Sequence, residues 1–200
     1  MYDAPLGLAA VTPAPPRRQG VLVVATGFVT AGVLMYFAAL LGLYLASRAT
    51  QVQQGRDWLP DGVNIPLTQP NMLLGTLLLS VVTIHWASYS ARNDDRPNLY
   101  LSLGITLMFG VAFINQNAYL FNLMELDIEG GRFEVLVYSL AVSHLLMLVG
   151  AIAFLIVVAF RALGGQETSV HHDGIRAAAL FWDAMVAVFF LIWIVVYVTK

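Results

Sequence analysis

The chain has 200 residues, 59% hydrophobic and 11% charged, with a formal net charge of −2 and a mean hydropathy of +0.76. Soluble domains carry about 25% charged residues, so a water-soluble globular fold is excluded. There is no cysteine, which excludes disulfides, iron–sulfur clusters and thiolate metal sites.

Residues 1–20, MYDAPLGLAAVTPAPPRRQG, are rich in Pro and Ala and carry Arg17 and Arg18 near their end, the pattern of a mobile tail with a basic anchor. Five apolar stretches follow, at about 21–47, 70–91, 97–124, 135–160 and 177–199. The first four lack Asp, Glu, Lys and Arg, and Asp183 alone interrupts the fifth. Each exceeds the roughly 18–20 residues that cross about 30 Å of hydrocarbon. The first is longer than a signal-peptide core of about 7–15 residues and is read as a retained helix. All eight prolines (Pro5, Pro13, Pro15, Pro16, Pro60, Pro66, Pro70 and Pro97) fall in the tail, in loops or at helix starts. A proline in a helix interior would remove a hydrogen bond that lipid cannot replace, so straight helices are expected. A transmembrane barrel is excluded, because its strands alternate polar and apolar residues and these runs do not. The fold class is therefore all-α, a polytopic five-transmembrane-helix bundle.

With the N-terminus inside, Arg17, Arg18, Arg92, Arg96, Arg161 and Arg176 lie on the inner side and Arg48, Arg56, Arg132 and Lys200 on the outer side. That positive-inside bias orients the chain N-in and C-out. The outer loops, 48–69 and 125–134, are short, and no Gly-rich phosphate loop or nucleic-acid partner is indicated. Ala38, Gly42 and Ala46 form a small-xxx-small pattern on the first span, read as helix packing. Trp86, Tyr89, Tyr100, Trp193 and Tyr197 fall near helix ends and read as interfacial aromatic belts.

Three ionisable residues lie within spans: His85, His144 and Asp183. Burying such groups costs at least about 2.5–3.5 kcal/mol, so each is a candidate for function. His85 precedes the inner end of its span by six residues and Asp183 follows the inner end of its own by six. At about 1.5 Å per residue both lie roughly 9 Å inside the inner boundary. A His85–Asp183 contact is then geometrically possible if the second and fifth spans touch. Otherwise Asp183 is kept protonated by desolvation or faces a partner subunit. Measured from the outer side, His144 is about 14 Å deep and His85 about 22 Å. Two axial haem ligands must flank one iron at similar depth, so packing histidines are the preferred reading over a haem site. Two histidines cannot supply a haem–copper centre, and Asp183 stands alone rather than in a chain of acids. Asn115, Gln116, Asn117 and Asn122 cluster near the outer end of the third span and read as interhelical glue.

Taken in order, these patterns resemble subunit III of haem–copper cytochrome c oxidases, in a short five-helix bacterial form without the first two of seven helices. LMYFAALLGLYLASR (34–48), ending in Arg48, is similar to the family's LMFFAGLF-x-x-Y-x-x-x-R segment. PLTQPNMLLGTLLLSVVTIHWA (66–87) resembles its loop and Leu/Ser/Thr-rich helix. FGVAFINQNAY (109–119) resembles its G-x-x-F-x-x-x-Q pattern, with Gln116 one residue short. HHDGIRAAALFWDAMVAVFFLIWIVVYV (171–198) resembles the closing helix, carried most specifically by Phe181, Trp182 and Tyr197. Departures are equally specific: Val33 stands where the family has a buried glutamate, and Tyr119–Leu120 replace its Glu-Tyr. Asp183 follows Trp182 where relatives have histidine, Val186 stands at the family aspartate, and a histidine pair is reduced to His144.

The resemblance implies a non-redox accessory subunit in a bacterial cytoplasmic membrane, packed against oxidase subunit I. It further implies bound structural phospholipid and support of oxygen access and proton uptake. Haem and copper would then belong to partner subunits and no cofactor to this chain, and the complex could join a respiratory supercomplex. Asp183, His85, His144, Gln116, Trp182 and Arg48 are the polar and assembly candidates; no catalytic or metal-ligating residue is assigned. The alternatives are a subunit III-like component of a quinol oxidase or nitric oxide reductase, a di-histidine cytochrome b-like anchor, and a small transporter. The last is weakened by the lack of broken helices that build midplane sites.

Overall fold

A computed structural model of the chain describes residues 20–60, 66–124 and 131–199. The tail 1–19 with Arg17 and Arg18, residues 61–65 and 125–130 of the two outer loops, and Lys200 lie outside the described residues. Five helices run through the rest: α1 (Val21–Gln53), α2 (Thr68–Arg92), α3 (Arg96–Met124), α4 (Arg132–Leu163) and α5 (Asp173–Ile192). The last continues as a π-helical segment, Trp193–Val198. All five are long and apolar enough to span a membrane.

The helices overrun the apolar stretches that announce them. α1 continues through Arg48 to Gln53, so the expected outer loop begins later than residue 48. α4 starts at Arg132 and α5 at Asp173, each three or four residues before the apolar run begins at 135 or 177. Charged residues end a hydrophobic run but do not end a helix, since Arg and Glu are good helix formers. The actual ends carry local signals. Asp95 caps α3, its Oδ1 accepting from the Asn98 N–H at 3.3 Å, with Pro97 in the first turn. Glu134 Oε2 accepts from the Gly131 N–H at 2.7 Å where α4 begins. Gly165 follows α4 at φ 72°, a left-handed conformation that glycine adopts without a Cβ penalty.

α5 is the centre of the bundle, packing on α1, α2 and α4, while α2 and α3 lie against each other and α3 also meets α4. Half of the most apolar window of α5 is buried, against 17% for α1. The outside is oily: Phe28, Met35, Leu146 and Phe160 are all more than 60% exposed. Small polar residues are threaded inside, among them Ser80, Ser88, Ser102 and Thr106. Several bond back to their own helix, as Thr106 does to the Ser102 carbonyl at 2.8 Å, which satisfies a hydroxyl without water.

Two expectations change here, and a third is given its place. Ala38, Gly42 and Ala46 face outward from the bundle, because Phe37, Leu41 and Tyr44 hold the inward stripe of α1. Tyr197 is 1% exposed and belongs to the core, not to an interfacial belt. α5 is not regular to its end: the π-helical turn carries no Pro or Gly that would announce it.

Candidate functional site

α2 and α5 do touch, and their contact brings His85 and Asp183 together. His85 Nε2 lies 3.2 Å from Asp183 Oδ1 and 3.1 Å from Oδ2. α2 runs seven residues past His85 and α5 begins ten residues before Asp183, about 10 and 15 Å of rise, so α5 starts nearly one turn beyond the end of α2 where the two side chains meet. The pair opens sideways from the bundle, with the two side chains 55% and 39% exposed.

The residue before Asp183, Trp182, points inward. It is 1% exposed, and its Nε1–H donates to Ser80 Oγ at 2.8 Å. Ser80 in turn donates to the Leu77 carbonyl at 2.6 Å. The indole fits because Gly110 of α3 leaves room: a Cβ there would lie 3.0 Å from its Cη2.

His144 of α4 is fully buried, with Nε2 3.1 Å from the Met185 carbonyl of α5. Phe37, Phe113 and Phe189 surround its ring at centroid distances of 6.3, 5.6 and 5.3 Å. His144 therefore bridges helices inside an aromatic box and does not meet His85. Gln116 Oε1 accepts from Thr76 Oγ1 at 3.3 Å, joining α3 to α2. Arg48 donates from Nη1 to Thr199 Oγ1 at 3.0 Å, joining the ends of α1 and α5. Of the six candidates, then, only His85 and Asp183 come together as one group.

Sequence reasoning missed four polar or aromatic groups at the bundle ends. At the α1 C-terminal end, Trp58 Nε1–H donates to Tyr44 Oη at 2.9 Å, and both rings pack on Phe133. At the opposite end, Asp94 (φ 52°) accepts from the Ser169 N–H at 2.7 Å and Oγ–H at 2.6 Å. These two bonds hold the Asp94 carboxyl below its ordinary value. Asp173 Oδ2 accepts from the Gly20 N–H at 2.7 Å, tying the starts of α1 and α5.

Glu167 is the fourth, 4% exposed. Both its oxygens are buried without a well-aligned hydrogen bond. One lies 3.3 Å from Arg161 Nε. Burial pushes this carboxyl up, while Arg161, the first-turn amides of Ile175 and Gly174, and His172 pull it back. An acid just ahead of a helix start was a readable signal for such a contact. The hydrogen-bond partners of the other three lie 14, 75 and 153 residues away in sequence, and nothing local announces them.

Among the described residues no three His, Asp or Glu side chains converge as a metal site would require. The fold and this polar inventory define a multi-pass α-helical membrane protein whose buried polar groups join helices.

The sequence model of the family described as cytochrome c oxidase subunit III matches residues 14–200. The chain is 28% identical over 173 residues to cytochrome c oxidase subunit 3 of Chondrus crispus, covering 85% of this chain and 63% of that protein. It is 30% identical over 172 residues to the subunit 3 proteins of Bos taurus and Syncerus caffer, covering 85% of this chain and 66% of each. The chain thus spans just under two thirds of the length of these relatives. It belongs to the cytochrome c oxidase subunit III family.

Proposed function

We propose that the chain is an accessory, non-redox subunit of a respiratory haem–copper terminal oxidase. In this reading it packs against the catalytic subunit I, holds structural phospholipid, and sits N-in, C-out in a bacterial cytoplasmic membrane. It supports oxygen reduction coupled to proton translocation without carrying electrons itself. The single observation behind this is the family match across residues 14–200.

The polar groups suit an assembly role. Ser80, His144 and Gln116 each hold a neighbouring helix or carbonyl, which leaves them engaged in structure. The test is purification in mild detergent from native membranes. A haem–copper subunit recovered in fixed ratio with the chain supports the reading. A visible haem band that remains with the isolated chain would overturn it in favour of a cytochrome b-like anchor.

A further inference from the structure

Facing out of the bundle, the described surface of α2 and α5 near His85 is apolar: Leu78, Leu79, Val82, Leu180 and Phe190 are all exposed. The His85–Asp183 pair interrupts that surface about 10 Å from the α2 C-terminus, from the seven residues between His85 and Arg92. At such depth lipid supplies no hydrogen bonds. His144, the other ionisable side chain found well inside a span, is 2% exposed and satisfied by a backbone carbonyl. The His85–Asp183 pair instead keeps imidazole Nδ1 and the outer carboxylate lone pairs turned away from the contact, with more than a third of each side chain uncovered. A carboxylate accepts up to about four hydrogen bonds, and here one imidazole nitrogen meets both oxygens.

We propose that this α2–α5 face is a docking surface for one transmembrane helix of a different polypeptide in the oxidase. That helix presents a hydrogen-bond donor to Asp183 at the depth of the pair. The inference rests on the accessory-subunit reading and deepens it by naming the face and the chemistry of its partner. Complementarity argues for a heterologous donor. A second copy meeting the same patch about a two-fold axis would bring only another imidazole and carboxylate already engaged with each other. A lipid tail would leave the carboxylate's outer lone pairs unmet.

The test is site-specific photo-crosslinking in native membranes expressing the full chain. A photoreactive phenylalanine analogue replaces Leu180 or Phe190 on this face, and Phe28 or Leu146, exposed on α1 and α4, as comparison positions. The expected result is a heterologous cross-link from 180 and 190, at least five-fold stronger than from 28 or 146. With Asp183→Leu that cross-link falls at least five-fold. Asp183→Asn, which keeps an acceptor oxygen, retains more of it than Asp183→Leu and guards against a folding defect.

Cross-links from 180 and 190 that go only to lipid, to a second copy or within the chain would overturn the proposal. So would a heterologous cross-link indifferent to both substitutions. If the oxidase co-purifies but is cross-linked only from 28 or 146, the docking face is wrong while the accessory-subunit reading stands. If no oxidase co-purifies, that reading fails as well.

Discussion

Gly110 is glycine because Trp182 occupies the space a side chain would need. A Cβ at 110 would meet the indole at 3.0 Å and Ile152 at 3.1 Å, tighter than ordinary van der Waals contact. Gly110→Val is therefore expected to cost about 1–3 kcal/mol by overpacking. Gly104→Ala, with nothing within 4 Å of its Cβ, should be neutral or slightly stabilising; thermal unfolding in detergent checks both. The His85–Asp183 contact has a related prediction. Asp183→Leu should cost about 0.6–2 kcal/mol and Asp183→Asn less, within the range of intramembrane polar contacts. Unchanged unfolding midpoints in both variants would contradict a stabilising pair. The equal depth of these two residues was readable in the sequence, because helical rise converts residue counts into ångströms. The Met185 carbonyl as partner of His144 was not, since every helical carbonyl has the same identity in a sequence.

At the scale of elements, the ends of the helices carry the titrating groups. The Glu167 carboxyl is raised by burial at the start of α5. Its protonated form is favoured in the folded state, so its contribution is fully present below the ordinary value of 4.5 and is lost as pH rises through the raised one. Glu167→Gln should remove that loss and flatten stability across the window just above 4.5. Asp94 has the opposite sign. Its carboxyl is lowered by Ser169, so its contribution is present above the ordinary 3.8 and is lost as pH falls through the lowered value. Ser169→Ala should weaken this acid-side dependence and leave the window above 4.5 unchanged. Denaturation midpoints of the detergent-solubilised chain against pH separate the two effects. The extents of the elements were only partly legible. The apolar runs located all five helices, but α1 passes beyond Arg48 and α5 begins before its apolar run. Hydropathy marks the stretch that suits lipid, whereas caps and tertiary contacts mark where the backbone stops.

Across the whole molecule, the number of spans and the family were legible, and the neighbours of each helix were not. Lipid and protein interior accept Leu, Val and Phe equally well, so periodicity cannot point to the inward face of a helix that is apolar all round. Ala38, Gly42 and Ala46 illustrate the ambiguity: their spacing suits close packing, yet they face away from this bundle. Nor could sequence place α5 at the centre, which requires knowing that it packs on α1, α2 and α4. Among the described residues that arrangement turns small polar side chains inward and leaves the His85–Asp183 pair partly exposed on the outer face of the spans. The proposed function makes this chain a member of an oxidase complex that holds its redox centres in other subunits. The most direct measurement is purification of the tagged chain in mild detergent, with subunit identification and a visible spectrum before and after dissociation. The expected result is a haem–copper subunit in fixed ratio, with all haem absorbance leaving with that partner. A chain recovered alone, or one that keeps a stoichiometric Soret band after dissociation, would contradict it.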